Sequence, residues 1–149
     1  MENRVKQKKF VLLVLYLHNT QNEVVPFFQK VLPVFQDNFT NFEIVCVNDA
    51  CTDGTIGVLK EYLEENHCSE MVNIIHMSFF HGLESAMNAG RDLAIGDFIY
   101  EFDTAYVDYP SELIMEVYDK LLEGNDIVSA GTRDHVRMTS GFFYFCYNK

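Results

Sequence analysis

Five short apolar segments alternate along the chain with segments whose apolar residues recur every three or four positions. Short apolar runs are typical of buried β-strands, and the periodic segments are typical of amphipathic helices. The predicted strands span six to eight residues each: FVLLVLYL (10–17), FEIVCV (42–47), MVNIIHM (71–77), DFIYEF (97–102) and DIVSAG (126–131). This alternation predicts an α/β fold, a mostly parallel sheet with helices on both faces.

The four predicted helices follow the first four strands. The first runs from Val24 to Phe35, with a proline tolerable in its first turn. The second is predicted to begin at a cap formed by Thr52 or Asp53. The fourth, Leu113–Leu122, has the clearest apolar face, and a proline shortly before it suits its start.

Polar or small residues follow each of the first four predicted strands. In a parallel sheet ligands bind beyond the carboxyl ends of the strands, close to the point where the strand order reverses. Loops are polar in most proteins, so a polar residue at any one of these positions is not by itself evidence of a binding site. Four such strand ends at one edge of the sheet, which we call the rim, predict a binding site. The residues are His18 and Asn19, Asn48 and Asp49, Ser78 with His81 and Gly82, and Asp103.

Composition narrows the class of protein. The 149 residues fit one domain, and 48% hydrophobic residues are enough for a substantial core. A formal net charge of −11 argues against a general nucleic-acid partner, because an acidic surface repels phosphate backbones. Four of the eleven basic residues fall within residues 1–9, which we interpret as a basic lead-in before the domain of residues 10–149. The cysteines form no CxxC pair, and Cys46 is predicted to be a buried free thiol, as expected in the cytoplasm.

Several other kinds of site are excluded because the chain does not contain their motifs. The chain has no GxxxxGK[ST] phosphate loop, no GxGxxG after a strand and no GxSxG nucleophile elbow. A receiver-like signalling domain needs clustered acids after the first strand, where His18 and Asn19 stand instead. No histidine spacing indicates zinc. His76 lies within the third predicted strand and is interpreted as structural, whereas His18 and His81 lie at the rim.

Three segments together resemble the family-2 glycosyltransferases of GT-A fold. VNDACTDGT (47–55) is similar to the family's Val-Asp-Asp-Gly-Ser-Thr-Asp-Gly-Thr after the second strand. FHGLESAMNAG (80–90) is similar to Asn-x-Gly-x-x-x-Ala-x-Asn-x-Gly, and AIGD (94–97) to Ala-x-Gly-Asp. Within the family, the segment from Gly131 to Lys149 looks most like the polyprenyl-phosphate glycosyltransferases, of the dolichyl-phosphate mannose synthase type.

The resemblance implies an enzyme that transfers a sugar from a nucleotide-sugar to an acceptor, here a polyprenyl phosphate at the membrane surface. It implies Mg²⁺ or Mn²⁺ at an Asp-x-Asp motif, with Asp103 as a metal ligand. No catalytic base is assigned. The implied nucleotide-sugar-binding residues are Asn19, Asp49, Gly82, Asp103, Arg133 and Arg137, the two arginines facing diphosphate or acceptor phosphate.

The chain departs from the family at charged positions. Ala105 stands where the second Asp of Asp-x-Asp is expected, Val107 replaces a Gln, and Asn48 replaces an Asp. A degenerate, non-catalytic GT-A domain acting as a binding or scaffold module is therefore the alternative hypothesis.

The subgroup continues beyond the point where this chain stops, often into membrane helices. We therefore expect a truncated acceptor half, a membrane-associated full-length protein, and apolar surface that could pair identical chains. The amphipathic tail 142–147 has two interpretations, an interfacial element and the start of a core-packing helix.

Overall fold

The computed structural model describes residues 5–93, 95–131 and 144–148. Six strands and four α-helices follow one another along this part of the chain. The strands are β1 (Gln7–Leu17), β2 (Phe39–Asn48), β3 (Val72–His76), β4 (Phe98–Phe102), β5 (Ile127–Ala130) and β6 (Tyr144–Asn148). The helices are α1 (Val24–Asn38), α2 (Thr55–Glu65), α3 (Leu83–Asp92) and α4 (Glu112–Leu122).

The strands form one sheet in the order β3-β2-β1-β4-β6-β5. Strands β1 to β4 pair with one another in parallel, and β6 pairs antiparallel with both β4 and β5. The predicted mostly parallel α/β sheet is confirmed. The helix-start interpretation of the tail is wrong for residues 144–148, because these residues form a strand that pairs with β4 and β5. The interfacial interpretation stays a prediction. A local amphipathic pattern does not reveal hydrogen bonds to strands whose paired residues lie 14–20 and 42–50 positions earlier.

Helices cover both faces of the sheet, as predicted. Alternate residues of β1 enter two separate apolar cores, since successive side chains of a strand point to opposite faces. Leu13 and Leu15 belong to the larger core, which α1, α2 and α4 cover. Leu12 and Val14 belong to the smaller core beneath α3. The predicted buried thiol of Cys46 lies in the larger core and is fully buried.

Helix α3 approaches the sheet so closely that one position has no room for a side chain. A Cβ atom on Gly90 would lie 2.4 Å from Cγ1 of Val14 and 2.9 Å from Cγ2 of Val47. Both methyl groups are buried, so neither can move aside freely. Gly90, the last residue of the FHGLESAMNAG segment, therefore sets the distance between α3 and strands β1 and β2.

The strand order reverses at β1, which lies between β2 and β4. The chain leaves β1 and β2 through the helices on one face and reaches β4 through α3 on the other. The loops that follow β1, β2, β3 and β4 therefore meet at the carboxyl edge of the sheet. No helix among the described residues combines the length and apolar character that a bilayer span requires.

Candidate functional site

The loops after β1 and β2 are joined by the side chain of Asn19. Its Oδ1 accepts hydrogen bonds from the backbone N–H groups of Thr52 at 2.8 Å and Asp53 at 3.3 Å. Asn19 has φ 51°, a left-handed conformation that asparagine adopts more readily than most residues. In the structure the oxygen of Asn19 holds the two loops together, and its predicted contact with a ligand stays a prediction.

A second set of contacts reinforces this connection. The backbone N–H of Thr20 donates to Oγ1 of Thr55 at 2.9 Å, and Gln21 N–H donates to Asp53 Oδ2 at 3.2 Å. Asp53 Oδ1 accepts from the N–H and hydroxyl of Thr55. Desolvation opposes the charged form, but these hydrogen bonds outweigh it and lower the pKa of the Asp53 carboxyl. Helix α2 begins after Gly54, so neither predicted cap residue occupies the N-cap position.

Asp49 is completely buried at the end of β2. Its Oδ1 accepts the N–H of His81 at 2.8 Å, and its Oδ2 accepts the N–H of Gly82 at 2.9 Å and the hydroxyl of Tyr16 at 3.0 Å. These donors offset the cost of burying a carboxylate. Burial, together with the hydrogen bond to Asp49, raises the pKa of Tyr16. Asp49 thus ties the β3–α3 loop to strands β1 and β2.

Gly82 lies at the entrance to α3 with φ 85°, a conformation that side chains disfavour. A Cβ atom at this position would meet no atom within 4 Å, so backbone geometry rather than space explains the glycine. Its N–H is already bonded to Asp49. The predicted pair Asp49 and Gly82 is therefore in direct contact.

Aromatic side chains flank this loop. Phe79 stacks on the His81 ring with the ring centroids 4.0 Å apart, and Phe80 contacts the His18 ring at 4.8 Å. Phe79 and Phe80 are 63% and 58% exposed, so the loop presents two aromatic rings at the rim. His18 and His81, the two histidines predicted at the rim, both lie there.

A groove of about 470 Å³ runs between α3 and the end of β4. Asp103 lines it together with Leu83, the residue that follows Gly82. In the same groove, Arg91 Nη1 lies 3.0 Å from Oε1 of Glu101, whose side chain is 10% exposed. The fourth strand end, with Asp103 half-buried, therefore opens into a concave surface beside the β3–α3 loop.

The described residues do not make a complete metal site. They contain no group of three histidine, cysteine, aspartate or glutamate side chains placed to hold an ion. Ala105, where the family has its second acid, is fully buried in the larger apolar core. Asp103 is one carboxylate at the expected place, and its role as a metal ligand remains a prediction.

Four of the six predicted nucleotide-sugar residues lie in the rim loops: Asn19, Asp49, Gly82 and Asp103. Arg133 and Arg137 lie outside the described residues. The sequence did not indicate the Arg91–Glu101 pair. It interpreted His76 as structural and did not indicate that its ring contacts Asn48 at the rim.

Comparison with known proteins agrees with this architecture. The model of the family "Glycosyl transferase family 2" matches residues 13–148. An uncharacterized glycosyltransferase of Synechocystis is 34% identical over 81% of this chain and 37% of its own length. A prophage bactoprenol glucosyl transferase homolog of Escherichia coli is 30% identical over 93% of this chain and 46% of its own length. The chain thus spans less than half of either relative.

Solved structures share the fold. A mannosyltransferase from Pyrobaculum calidifontis, in complex with GDP-Man and Mn²⁺, superposes with a TM-score of 0.68. That comparison has 14% sequence identity and covers 95% of this chain and 45% of the other. It establishes the fold, and the family match establishes membership: the chain belongs to glycosyl transferase family 2.

Proposed function

We propose that the rim binds the nucleotide-sugar donor of a glycosyl transfer reaction whose acceptor is a polyprenyl phosphate. The observation that carries the proposal is the convergence of four strand ends on one cross-bonded edge. Asn19 joins the first two loops, Asp49 is hydrogen-bonded to the third, and Asp103 lines the adjoining groove. A rim held by its own hydrogen bonds before ligand arrives loses little entropy on binding.

The choice of acceptor rests on relatives. The Escherichia coli relative, which matches 93% of this chain, is named as a bactoprenol glucosyl transferase homolog. The mannosyltransferase of similar fold was solved with GDP-Man. These names favour a sugar nucleotide and a lipid-phosphate acceptor, and they give no support to a non-catalytic scaffold module.

The proposed roles differ among the predicted residues. Asp49 and Gly82 bond to each other, so they act by shaping the wall of the site. Asp103 offers a carboxylate to the ribose or to a bound cation. Arg133 and Arg137 are proposed to face the diphosphate or the acceptor phosphate, which guanidinium groups bind well.

In the reaction, the bond from the sugar's anomeric carbon to the donor diphosphate breaks, and a bond to an oxygen of the acceptor phosphate forms. A phosphate monoester is largely ionised near neutral pH, because its second pKa is about 6. The acceptor oxygen therefore needs little help from a protein base. Mg²⁺ or Mn²⁺ would supply charge to the leaving diphosphate, although the described residues alone do not form its site.

Calorimetry on the full-length protein tests donor binding. We would titrate UDP, GDP, UDP-glucose and GDP-mannose with and without Mn²⁺, and then measure transfer of labelled sugar to polyprenyl phosphate. We expect one nucleotide to bind and its sugar to be transferred. If none of these nucleotides binds with or without Mn²⁺, the proposal is wrong.

A matched pair of variants locates the site. Asp103→Asn removes a charge at the rim. Asp126→Asn makes the same change just before β5, on the side of the sheet where the parallel strands begin, opposite the rim. We expect the first to weaken donor binding or turnover by about tenfold, as loss of a charged hydrogen bond does. The second should leave both unchanged. Equal effects of the two would contradict placement of the donor at this rim.

A further inference from the structure

The side chain of Asn48, at the end of β2, is held in one orientation by two partners. The backbone N–H of Cys51 lies 2.9 Å from Oδ1 of Asn48, and Nδ2 of Asn48 lies 2.9 Å from Nδ1 of His76. A backbone N–H can only donate, so the atom that faces Cys51 must be the amide oxygen. The amide nitrogen therefore faces His76.

This orientation determines the tautomer of His76. The amide nitrogen of Asn48 is a donor, so Nδ1 of His76 must accept, and the ring proton lies on Nε2. The other two rim histidines have the opposite arrangement. His18 Nδ1 lies 2.7 Å from the carbonyl oxygen of Asp49, and His81 Nδ1 lies 2.5 Å from that of Phe79. Carbonyl oxygens only accept, so both of these rings carry hydrogen on Nδ1.

We propose that His76 is a positioning residue of the nucleotide site and acts through Asn48. With its nitrogen engaged by His76, Asn48 keeps its oxygen on Cys51 N–H and so holds the turn that follows β2. The next two residues of that turn, Thr52 and Asp53, are those whose N–H groups Asn19 binds. The His76 imidazole thereby supports the junction of the first two rim loops. This inference rests on the proposed function, because it assumes that a nucleotide occupies the rim.

The place of His76 in the fold separates this role from a role in stability. It is the last residue of β3, the edge strand of the sheet, and it is exposed. Replacing it removes little buried surface, so variants are expected to fold. Loss of the acceptor leaves Asn48 held by Cys51 N–H alone, so we expect its side chain to rotate more freely and that remaining hydrogen bond to weaken.

Tautomer measurement tests the local claim without any ligand. Two-bond ¹H–¹⁵N correlation spectra of the full-length protein distinguish the two neutral forms of each histidine. We expect the Nε2–H form for His76 and the Nδ1–H form for His18 and His81. A hydrogen on Nδ1 of His76 would overturn the proposal.

Nucleotide affinity tests the functional claim. In titrations with UDP and GDP, His76→Leu should weaken binding of the preferred nucleotide by about threefold to tenfold, the range expected for one hydrogen bond. His76→Gln, whose amide oxygen can accept from Asn48, should restore affinity to within about twofold of wild type. His67→Asn removes an exposed histidine that lies between α2 and β3, before β3 begins and so away from the rim, and it should change nothing.

The outcomes are distinguishable. Unchanged affinity in His76→Leu, or equal losses in the Leu and Gln variants, would overturn the positioning role while leaving nucleotide binding intact. If the wild-type protein binds neither UDP nor GDP, the functional claims for the rim and for His76 both fail. The tautomer spectra would then still report whether the contact with Asn48 exists.

Discussion

The carboxylate of Asp49 provides a demanding test of the rim, because we expect even its conservative replacement by asparagine to destabilise the protein. Asp49→Asn keeps the shape of the side chain but converts one oxygen into an NH₂ donor. Oδ1 faces the N–H of His81, and Oδ2 faces the N–H of Gly82. Backbone N–H groups cannot reverse, so either orientation of the new amide sets a donor against a donor inside a fully buried site.

The expected cost follows from the bonds that change. A hydrogen bond to a charged group contributes about 1.5–3 kcal/mol, and an unsatisfied buried donor costs about 1–3 kcal/mol. Asp49→Asn loses at least one such bond and weakens the others, so we expect a loss of about 2–4 kcal/mol in the free energy of unfolding. For a chain of this length the melting temperature should fall by roughly 5–15 °C. Tyr16→Phe removes one donor only and should cost less.

Urea unfolding measures the free energy, and amide hydrogen exchange reports on the loop. In Asp49→Asn the exchange of the His81 and Gly82 amides should accelerate more than that of amides in α4. Asp126→Asn, an exposed position before β5, is the control and should stay within about 0.5 kcal/mol of wild type. A change of less than about 0.5 kcal/mol in Asp49→Asn, with unchanged exchange at both amides, would refute the donor-against-donor reasoning.

Three further predictions concern positions that the structure distinguishes sharply. Gly90→Ala should lower the free energy of unfolding by about 1–3 kcal/mol through overpacking. Gly57→Ala, in α2 with no atom within 4 Å of the added Cβ, should instead raise it by about 0.4–1 kcal/mol. Chemical denaturation compares the two variants, and changes of the same sign in the free energy of unfolding would contradict the packing of α3. Ala105→Asp should lower the free energy of unfolding by about 3 kcal/mol or more, because it places a carboxylate in an apolar core. Calorimetry should show that this change by itself creates no Mn²⁺ affinity. Ile95→Asp, at a position 81% exposed, is the control and should change the free energy of unfolding little. Because the pKa of Asp53 is lowered, its contribution to stability is present above the unfolded-state pKa near 3.8 and is lost as pH falls through the folded-state value. Urea unfolding at a series of acidic pH values should therefore show a shallower loss of stability in Asp53→Asn than in wild type. Parallel curves for the two proteins would argue against the hydrogen bonds assigned to this carboxylate.

The order of strands and helices was predictable from the sequence, because it depends on local periodicity. The continuous apolar run of β1 requires burial on both faces, and the helical spacing between strands requires crossover connections. Parallel strands with such connections bring their carboxyl ends to one edge, so the rim positions of Asn19 and Asp103 followed from the pattern alone. The motif spacing added the family, which the match over residues 13–148 confirms.

The tertiary structure decided what each rim residue does, because hydrogen-bond partners come from distant parts of the chain. Asp49 was predicted to hold nucleotide and is enclosed by donors from β1 and from the β3–α3 loop. Strand β6 depends on pairing with β4 and β5, which no local pattern encodes. Ala105 reads in the sequence as a missing metal ligand, and in the fold it is a residue of the apolar core. His76 was interpreted from the sequence as a structural strand residue. Its contact with Asn48, 28 residues earlier, exists only because β2 and β3 pair side by side and end together at the rim.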